Sequence, residues 1–201
     1  MHLNYKNAGI KVFPEVYEPS EDSFLLAEAA LTEIRGTERI LEIGCGSGII
    51  SAVLKANTDA TVFGIDINPH AAKCSRDNGI EVVRGDLLGC IKGKFDIIIF
   101  NPPYIPTPDE ERMDDWLNTA LDGGYDGRKI IFRFLDDAAE HLVENGRILL
   151  LISSLTGIEE VKSKLRSLDY TVKDSIQERY MFEELLVIVA TKMRLSCKQP
   201  L

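Results

Sequence analysis

Arg39-Ile40-Leu41-Glu42-Ile43-Gly44-Cys45-Gly46-Ser47-Gly48 is the stretch that decides the fold. Its apolar first half predicts a buried strand over 39–43, and the glycines predict a tight turn into a helix over 48–55. Such glycines let backbone N–H groups approach a ligand without a Cβ in the way. The dinucleotide pattern G-x-G-x-x-G fails because Ile49 takes its third glycine position. Glu42, just before the loop, would repel a pyrophosphate and suits a cationic amino-acid group.

Short apolar runs alternate with amphipathic stretches along the rest of the chain, which is typical of a wound parallel sheet with an α/β fold. Further strands are predicted over 61–66, 80–84, 95–100, 147–152, 171–176 and 184–191, and helices from Pro69, over 128–142 with Gly146 ending it, and over 158–168. The last two strands follow each other directly, which indicates an antiparallel edge. We predict a single domain over 1–201, with an N-terminal segment and helix over 1–35 and a frayed tail over 193–201.

Asn101-Pro102-Pro103-Tyr104 directly follows the predicted strand over 95–100. Two prolines stop the strand by withholding N–H groups, so the asparagine stands at the carboxyl edge, where ligands bind in an open α/β sheet. A planar amide beside an aromatic ring suits a planar nitrogen substrate, because the amide accepts N–H bonds and the ring stacks. A proline-ended loop with a capping asparagine is the structural alternative, and the glycine-rich loop upstream weighs against it.

Two aspartates follow the next strand ends. Asp66 ends the second strand, about 20 residues beyond the glycine loop, where a carboxylate can accept both hydroxyls of a ribose. Asp86-Leu87 follows the third strand, placed to take an exocyclic amine and to cover a purine face. Either aspartate alone is more often a helix cap. Together with Glu42 they put acids at three successive strand ends, which favours a ligand site.

The segment 105–127 is predicted to be a lid or binding loop, because so long a connection without clear structure is usually functional. It carries prolines, a run of acids, Trp116 and the turn-rich sequence over 122–127. A solvated acidic loop is an alternative of about equal weight. Its position beside Asn101 favours the functional interpretation.

The whole-chain composition narrows the class of protein. With 201 residues, 45% hydrophobic, the chain can bury a sizeable core, and its net charge of −9 argues against broad contact with a nucleic-acid backbone. The cysteines show no C-x-x-C spacing and no nearby histidine, so we predict no metal site. We also predict that they are the reduced, mostly buried thiols of a cytoplasmic protein. The cysteines are Cys45, Cys74, Cys90 and Cys197. No apolar run approaches the about 20 residues that span a bilayer.

These motifs, in this order, resemble those of a class I S-adenosylmethionine-dependent methyltransferase: E-x-G-x-G-x-G from Glu42, Asp66, Asp86-Leu87 and Asn-Pro-Pro-Tyr. The resemblance implies a Rossmann-like domain whose mostly parallel seven-stranded sheet has one antiparallel strand and helices on both faces. It also implies S-adenosyl-L-methionine as the cofactor.

Three further segments narrow the resemblance to the HemK-type release-factor glutamine methyltransferases, archaeal and eukaryotic branch. They are Val16-Tyr17-Glu18-Pro19-Ser20-Glu21-Asp22-Ser23-Phe24-Leu25-Leu26, Asp66-Ile67-Asn68-Pro69 and Gly123-Gly124-Tyr125-Asp126-Gly127-Arg128. The likeness runs from about Val12 to Thr191. It implies methyl transfer to the side-chain amide of a glutamine in a peptide chain release factor.

On matching positions the resemblance implies the site residues. Cofactor binding falls to Ser23, Glu42, Gly44, Gly46, Asp66, Asp86, Leu87 and Asn101, and catalysis to Asn101, Pro102 and Tyr104. Bacterial members carry a helical domain ahead of the cofactor loop, for which this chain has too few residues before Arg39. That fits the shorter branch, whose members resemble one another in needing a small zinc-binding activator of the Trm112 type. In that branch the activator extends the sheet beside the strand over 80–84.

Other functions stay open on the sequence alone. An exocyclic-amine methyltransferase of adenine or guanine in DNA or RNA also carries Asn-Pro-Pro-Tyr, but it needs a strand-binding surface for a flipped base. A protein lysine methyltransferase is less favoured, because Asn101 and Pro102 offer acceptors to a planar amide better than to an ammonium. A non-catalytic scaffold of an RNA-modifying complex would share the fold but has no need of an intact Asn101 and Tyr104.

Overall fold

The computed structural model describes residues 1–193. Its strands are β1 (His2–Tyr5), β2 (Ala8–Lys11), β3 (Arg39–Ile43), β4 (Thr61–Asp66), β5 (Glu81–Arg84), β6 (Phe95–Phe100), β7 (Leu142–Ser153), β8 (Tyr170–Arg179) and β9 (Glu184–Lys192). Its helices are α1 (Glu21–Glu33), α2 (Ile49–Asn57), α3 (Pro69–Asp77), the single turn α4 (Trp116–Thr119), α5 (Lys129–Ala138) and α6 (Ile158–Ser167).

Seven strands form one sheet in the order β5-β4-β3-β6-β7-β9-β8. The pairs from β5 to β7 are parallel, and β9 runs antiparallel to both β7 and β8. The predicted mostly parallel sheet with one antiparallel strand is confirmed. The antiparallel strand lies one place in from the edge, because β9 returns between β7 and β8.

Helices cover both faces of this sheet. Successive side chains of a strand point to opposite faces, and here both sides are buried: Ile40 packs in a cluster with α1 and α2, whereas Leu41 packs with α5 and α6. A strand covered on both faces reads as a continuous apolar run, which is why β3, β4 and β6 begin and end as predicted. This arrangement leaves the carboxyl ends of the parallel strands open at one edge.

The predicted helix over 128–142, ended by Gly146, is wrong at its end. The helix α5 stops at Ala138, a 3-10 turn follows, and β7 already begins at Leu142. The register of β7 against β6 shifts between the pairs Phe95–Leu142 and Ile97–Arg147, so β7 contains a bulge. Asn145, within that bulge, has φ +60°. Gly146 therefore belongs to a bulged strand and not to a helix terminus.

A two-stranded hairpin precedes α1 and was not predicted. The strands β1 and β2 are joined by Lys6 and Asn7, both with positive φ, the geometry of a tight hairpin turn. Its Tyr5 ring lies 4.5 Å from the Phe24 ring, centroid to centroid, so the hairpin packs against α1. The strands are only four residues each, too short to show a clear apolar period in the sequence.

The whole-chain predictions on buried thiols and membrane spans can be compared with the described residues, whereas the predicted tail cannot. Cys45 and Cys74 are buried and Cys90 is exposed, whereas Cys197 lies outside the described part of the chain. The predicted tail over 193–201 lies beyond it too, apart from Met193. Within residues 1–193, no helix has the length and apolar character that crossing a membrane requires.

Candidate active site

A cleft of about 500 Å³ opens at the carboxyl ends of β3, β4 and β6. Its walls include all the residues that the sequence predicts for the site: Ser23, Glu42, Gly44, Gly46, Asp66, Asp86, Leu87, Asn101, Pro102 and Tyr104. Residues far apart in the sequence meet here because parallel strands end at the same edge. The volume is typical of a pocket for one small organic ligand.

Glu42 lies fully buried at the floor of the cleft. Its Oε2 accepts hydrogen bonds from the backbone N–H of Ser51, at 3.0 Å, and from the Ser51 hydroxyl. Burial raises the pKa of Glu42 from its ordinary value of 4.5 to about 8, and the bonds from Ser51 oppose that shift only in part. A cation placed beside Glu42 would favour its ionised form, so the chemistry fits the ammonium of an amino acid.

The raised pKa of Glu42 predicts a pH-dependent stability. Because the folded pKa, about 8, exceeds the unfolded value of 4.5, the stabilisation by the protonated carboxyl is complete below pH 4.5 and is lost as the pH rises to about 8. The isosteric Glu42→Gln variant does not titrate at this position. We expect thermal unfolding of the ligand-free protein to show wild type losing stability relative to this variant across that window. Parallel pH profiles of the two proteins would contradict the prediction.

Asp66 joins the second strand to the glycine loop. Its Oδ2 accepts from the Gly46 N–H and its Oδ1 from the Asn68 N–H, both at 2.8 Å. Burial raises the pKa of this carboxyl, and the backbone bonds oppose the shift. Each oxygen keeps a second lone pair, so the carboxylate can still accept the paired hydroxyls of a ribose.

Asp86 and Leu87 also line the cleft, but Asp86 is far more exposed to solvent than Asp66. Asp86 is about half exposed, and its Oδ2 pairs with Nη2 of Arg133 on α5 at 2.8 Å. An exposed ion pair of this kind is worth only about 0–1 kcal/mol, so it is a weak competitor for a ligand amine. Leu87 adopts φ +47°, unusual for a residue with a side chain, and holds its side chain against the cleft.

Asn101 is held by a residue that the sequence analysis did not single out. Its Nδ2 donates to Oδ2 of Asp22 at 2.9 Å, across 79 positions of sequence. Because an ionised carboxylate only accepts, this bond fixes which end of the amide is the donor. The opposite atom, Oδ1 of Asn101, is buried without a hydrogen-bond partner among the described residues. An unpaired buried acceptor costs about 1–3 kcal/mol, so its presence at the cleft marks where a donor is expected.

Asp22 is itself fixed from several sides. It is buried in the first turn of α1, its Oδ1 accepts from the Ser23 N–H at 2.6 Å and hydroxyl at 3.1 Å, and the Tyr17 hydroxyl lies 3.3 Å from both oxygens. In the sequence, the one feature that could have indicated a role for Asp22 in the site is its place directly before Ser23, in the N-terminal segment over 16–26. Ser23 lines the cleft, with its hydroxyl proton directed to Asp22.

Tyr104 lies half-buried beside Asn101. Burial, followed by the negative charge of Asp22, raises the pKa of Tyr104 above its ordinary range, and the same two causes raise the pKa of Tyr17. Both phenols therefore stay protonated at neutral pH. Neither can act as a general base, which leaves Tyr104 an uncharged ring for stacking.

The segment over 105–127 is more regular than predicted and forms one wall of the cleft. Its two ends run side by side, since the Ile105 N–H donates to the Leu121 carbonyl and the Gly123 N–H donates to the Ile105 carbonyl. A 3-10 turn and α4 occupy the middle, where Trp116 lines the cleft. Its function as a lid stays a prediction.

Gly127 shows why this segment is rich in glycine. It adopts φ +73°, and a Cβ built there would lie 2.5 Å from the Tyr104 carbonyl oxygen. We expect Gly127→Ala to destabilise the fold by about 1–3 kcal/mol, because it combines left-handed strain with a backbone clash. It should also displace Tyr104 and lower turnover. Denaturant unfolding and methylation assays measure the two effects, with Gly79→Ala as a control, since φ is +81° there but a Cβ meets nothing within 4 Å. Equal losses in both variants would contradict the prediction.

The fold and the cleft define a class I S-adenosylmethionine-dependent methyltransferase. The donor set fits this cofactor, with a buried carboxyl for an ammonium at Glu42, a carboxylate with free lone pairs at Asp66 and a glycine loop between them. The sequence matches two family descriptions, "Methyltransferase small domain" over residues 20–115 and "Eco57I restriction-modification methylase" over residues 77–185.

Relatives specify the kind of methyltransferase. The Methanocaldococcus jannaschii protein named "Putative protein N5-glutamine methyltransferase" is 40% identical over 199 residues, covering 96% of this chain and all of the relative. Methyltransferase HEMK2 of Mus musculus is 38% identical over 179 residues, 81% of this chain and 83% of that protein. Among solved structures, Mtq2 in the E. cuniculi Mtq2–Trm112 complex has a TM-score of 0.75 and 30% identity over 89% of this chain and 99% of that one.

The chain belongs to the HemK-type family of protein N5-glutamine methyltransferases. The predicted resemblance and class of enzyme are confirmed, and the cofactor is S-adenosylmethionine. The role of each site residue stays a proposal.

Proposed function

We propose that this enzyme methylates the side-chain amide nitrogen of a glutamine in a peptide chain release factor of the eRF1 type. The observation that carries the proposal is the Asn101 amide, whose nitrogen is bound to Asp22 and whose buried oxygen lacks a donor within residues 1–193. A primary amide of a substrate supplies that donor. The E. cuniculi relative is described as responsible for methylation of the eRF1 translation termination factor, which supports this substrate.

Asn101, Pro102 and Tyr104 promote the reaction by orienting the amide nitrogen of the substrate. An amide nitrogen is a poor nucleophile because its lone pair is delocalised into the carbonyl. Asn101 Oδ1 and the Pro102 carbonyl accept its two N–H groups, and Tyr104 stacks on the amide plane. Alignment of this kind can lower a barrier by several kcal/mol, up to about 7–11 in well-aligned intramolecular reactions.

When bound, S-adenosylmethionine would supply an electrophilic methyl group, which passes from its sulfur to the amide nitrogen of the substrate. Ser23, Glu42, Gly44, Gly46, Asp66, Asp86, Leu87 and Asn101 are the residues proposed to hold it. The methylated nitrogen carries an extra proton, which leaves to water after transfer. Protonated Tyr17 and Tyr104 are consistent with a mechanism that uses no general base.

The partner is proposed to be a small zinc-binding activator of the Trm112 type, because the similar E. cuniculi Mtq2 was solved in complex with Trm112. Its proposed place is the free edge of β5, the first strand in the sheet order, where Val83 is 50% exposed. A strand added there would pair the open backbone groups and cover that side chain. Since translation termination takes place in the cytoplasm, we place the enzyme there.

Methylation of an exocyclic amine in a nucleic acid is the second candidate, favoured by the match to the Eco57I restriction-modification methylase over residues 77–185. The net charge of −9 disfavours it, because a flipped base needs a surface that holds the strand. Lysine methylation is disfavoured because an ammonium has no planar N–H pair for Asn101 and Pro102.

The experiment incubates the chain, with and without a Trm112-type activator, with labelled S-adenosylmethionine and one of three acceptors. The acceptors are an eRF1-type release factor, the same factor with its glutamine changed to alanine, and DNA. We expect label on the unmodified factor alone, mapped to the glutamine by mass spectrometry. Label on DNA, or on a lysine of the factor, would refute the proposal.

A further inference from the structure

The turn between β8 and β9 exposes two large apolar side chains. Met181 and Phe182 are 87% and 88% exposed, the highest values among the large hydrophobic side chains of the described residues. Scattered single apolar residues on a surface are normal, but two adjacent ones at a hairpin tip form a projecting apolar point. Methionine and phenylalanine are both enriched in protein interfaces. We call residues 180–183, with these two at the end, the apolar tip.

The apolar tip stands beside the cleft. Phe100, which precedes Asn101, pairs with Leu150 of β7, and β7 continues for three more residues to Ser153, still paired with Leu185 of β9. At about 3.3 Å per residue, Ser153 lies about 10 Å beyond the end of β6, and Phe182, three residues from Leu185, lies up to about 10 Å further. Two strand spacings of about 4.8 Å separate β6 from β9. The tip therefore lies roughly 20 Å from Asn101, the reach of about six extended residues.

The apolar tip is also held rigidly. The Tyr180 N–H donates to the Glu183 carbonyl at 2.8 Å, and the Ser153 hydroxyl donates to Oε2 of Glu183 at 2.6 Å. Tyr180 packs against the same core cluster as Tyr104. Since the tip is already ordered, binding through it loses little conformational entropy.

We propose that the apolar tip is a docking element for the protein substrate, which it contacts at an apolar side chain about six residues' length from the methylated glutamine. This inference rests on the proposed function. The position of the tip on the cleft side of the sheet, at the opposite end from β5, separates it from the edge proposed for the activator. The hairpin end carries three acids, Glu178, Glu183 and Glu184, against one base, Arg179, so the contacted region of the substrate is apolar with basic neighbours.

The test is the double variant Met181→Ser/Phe182→Ser, assayed as the complex with the activator on two acceptors. One is the intact release factor, and the other is a peptide with only two residues on each side of the glutamine, too short to reach the tip. The control is Met193→Ser. Met193 is 47% exposed and follows the end of β9 that lies away from the apolar tip and the cleft. Binding of S-adenosylhomocysteine, followed by thermal shift, checks the cofactor site and the fold.

We expect the KM for the intact release factor to rise about 10- to 100-fold in the double variant, as for interface anchors removed together. Turnover at saturation, the kinetics with the short peptide and the thermal shift should stay at wild-type values. An unchanged KM for the intact factor overturns the docking role while the proposed function stands. An unchanged KM with a shift in oligomeric state on size-exclusion chromatography also overturns it, since the tip would then bind a second copy. A wild-type complex that leaves the factor unmethylated refutes the proposed function and the docking role with it.

Discussion

Replacing Asn101 with alanine will lower methyl transfer to the release factor by about 1000-fold, the upper end of the range for loss of one positioned hydrogen-bonding group at a reacting centre. The substitution removes the acceptor that aligns the substrate nitrogen, and nothing else described at the cleft replaces it. It also removes the partner of Asp22, which keeps its bonds from Ser23 and Tyr17. Single-turnover methylation with labelled cofactor measures the loss.

The binding of S-adenosylmethionine by Asn101→Ala should stay largely intact, because Glu42 and Asp66 hold their positions through bonds to α2 and to the glycine loop. A thermal shift with the cofactor checks this. Asn118→Ala is the matched control, since Asn118 lines the same cleft but bonds to the exposed Asp115. It should retain activity within a few-fold. Retained activity in Asn101→Ala would refute the amide clamp.

The sequence predicted those parts of the site that lie at strand ends. Asp66 ends a buried strand, Asn101 directly follows one, and Glu42 is the last residue but one of another. A parallel sheet brings such positions to one edge whatever the loops do. The fold was predictable for the same reason, because β3, β4 and β6 are buried on both faces and read as continuous apolar runs. For residues 39–100, the apolar pattern of the sequence therefore agrees with the parallel sheet that the structure shows.

What could not be predicted depends on long-range packing. Asp22 becomes part of the site only because α1 packs over the sheet and brings its first turn to the end of β6. In the sequence it is one acid among several at a helix start. Gly146 was predicted to end a helix, because a glycine after a helical pattern usually does so. In the structure it lies in a bulge of β7.

The same long-range contact gives the second large expected effect. Asp22→Asn will reduce turnover by about 10- to 100-fold with little change in the KM for the release factor. The Asp22 carboxylate holds the Asn101 amide in one orientation and polarises it, so that Oδ1 is a stronger acceptor. An asparagine at position 22 keeps the shape but can donate as well as accept, so the Asn101 amide is no longer fixed in orientation. Steady-state kinetics on the release factor measure kcat and KM separately.

A double-mutant cycle shows whether Asp22 acts through Asn101, as a positioning residue, or only supports the fold. In the Asn101→Ala background, Asp22→Asn should have almost no further effect on turnover, because the group it orients is already gone. Tyr17→Phe is the milder control; it removes the long 3.3 Å contacts to Asp22 and should cost no more than a few-fold. If the losses from Asp22→Asn and Asn101→Ala multiply, Asp22 acts independently of the amide, and the orientation argument fails.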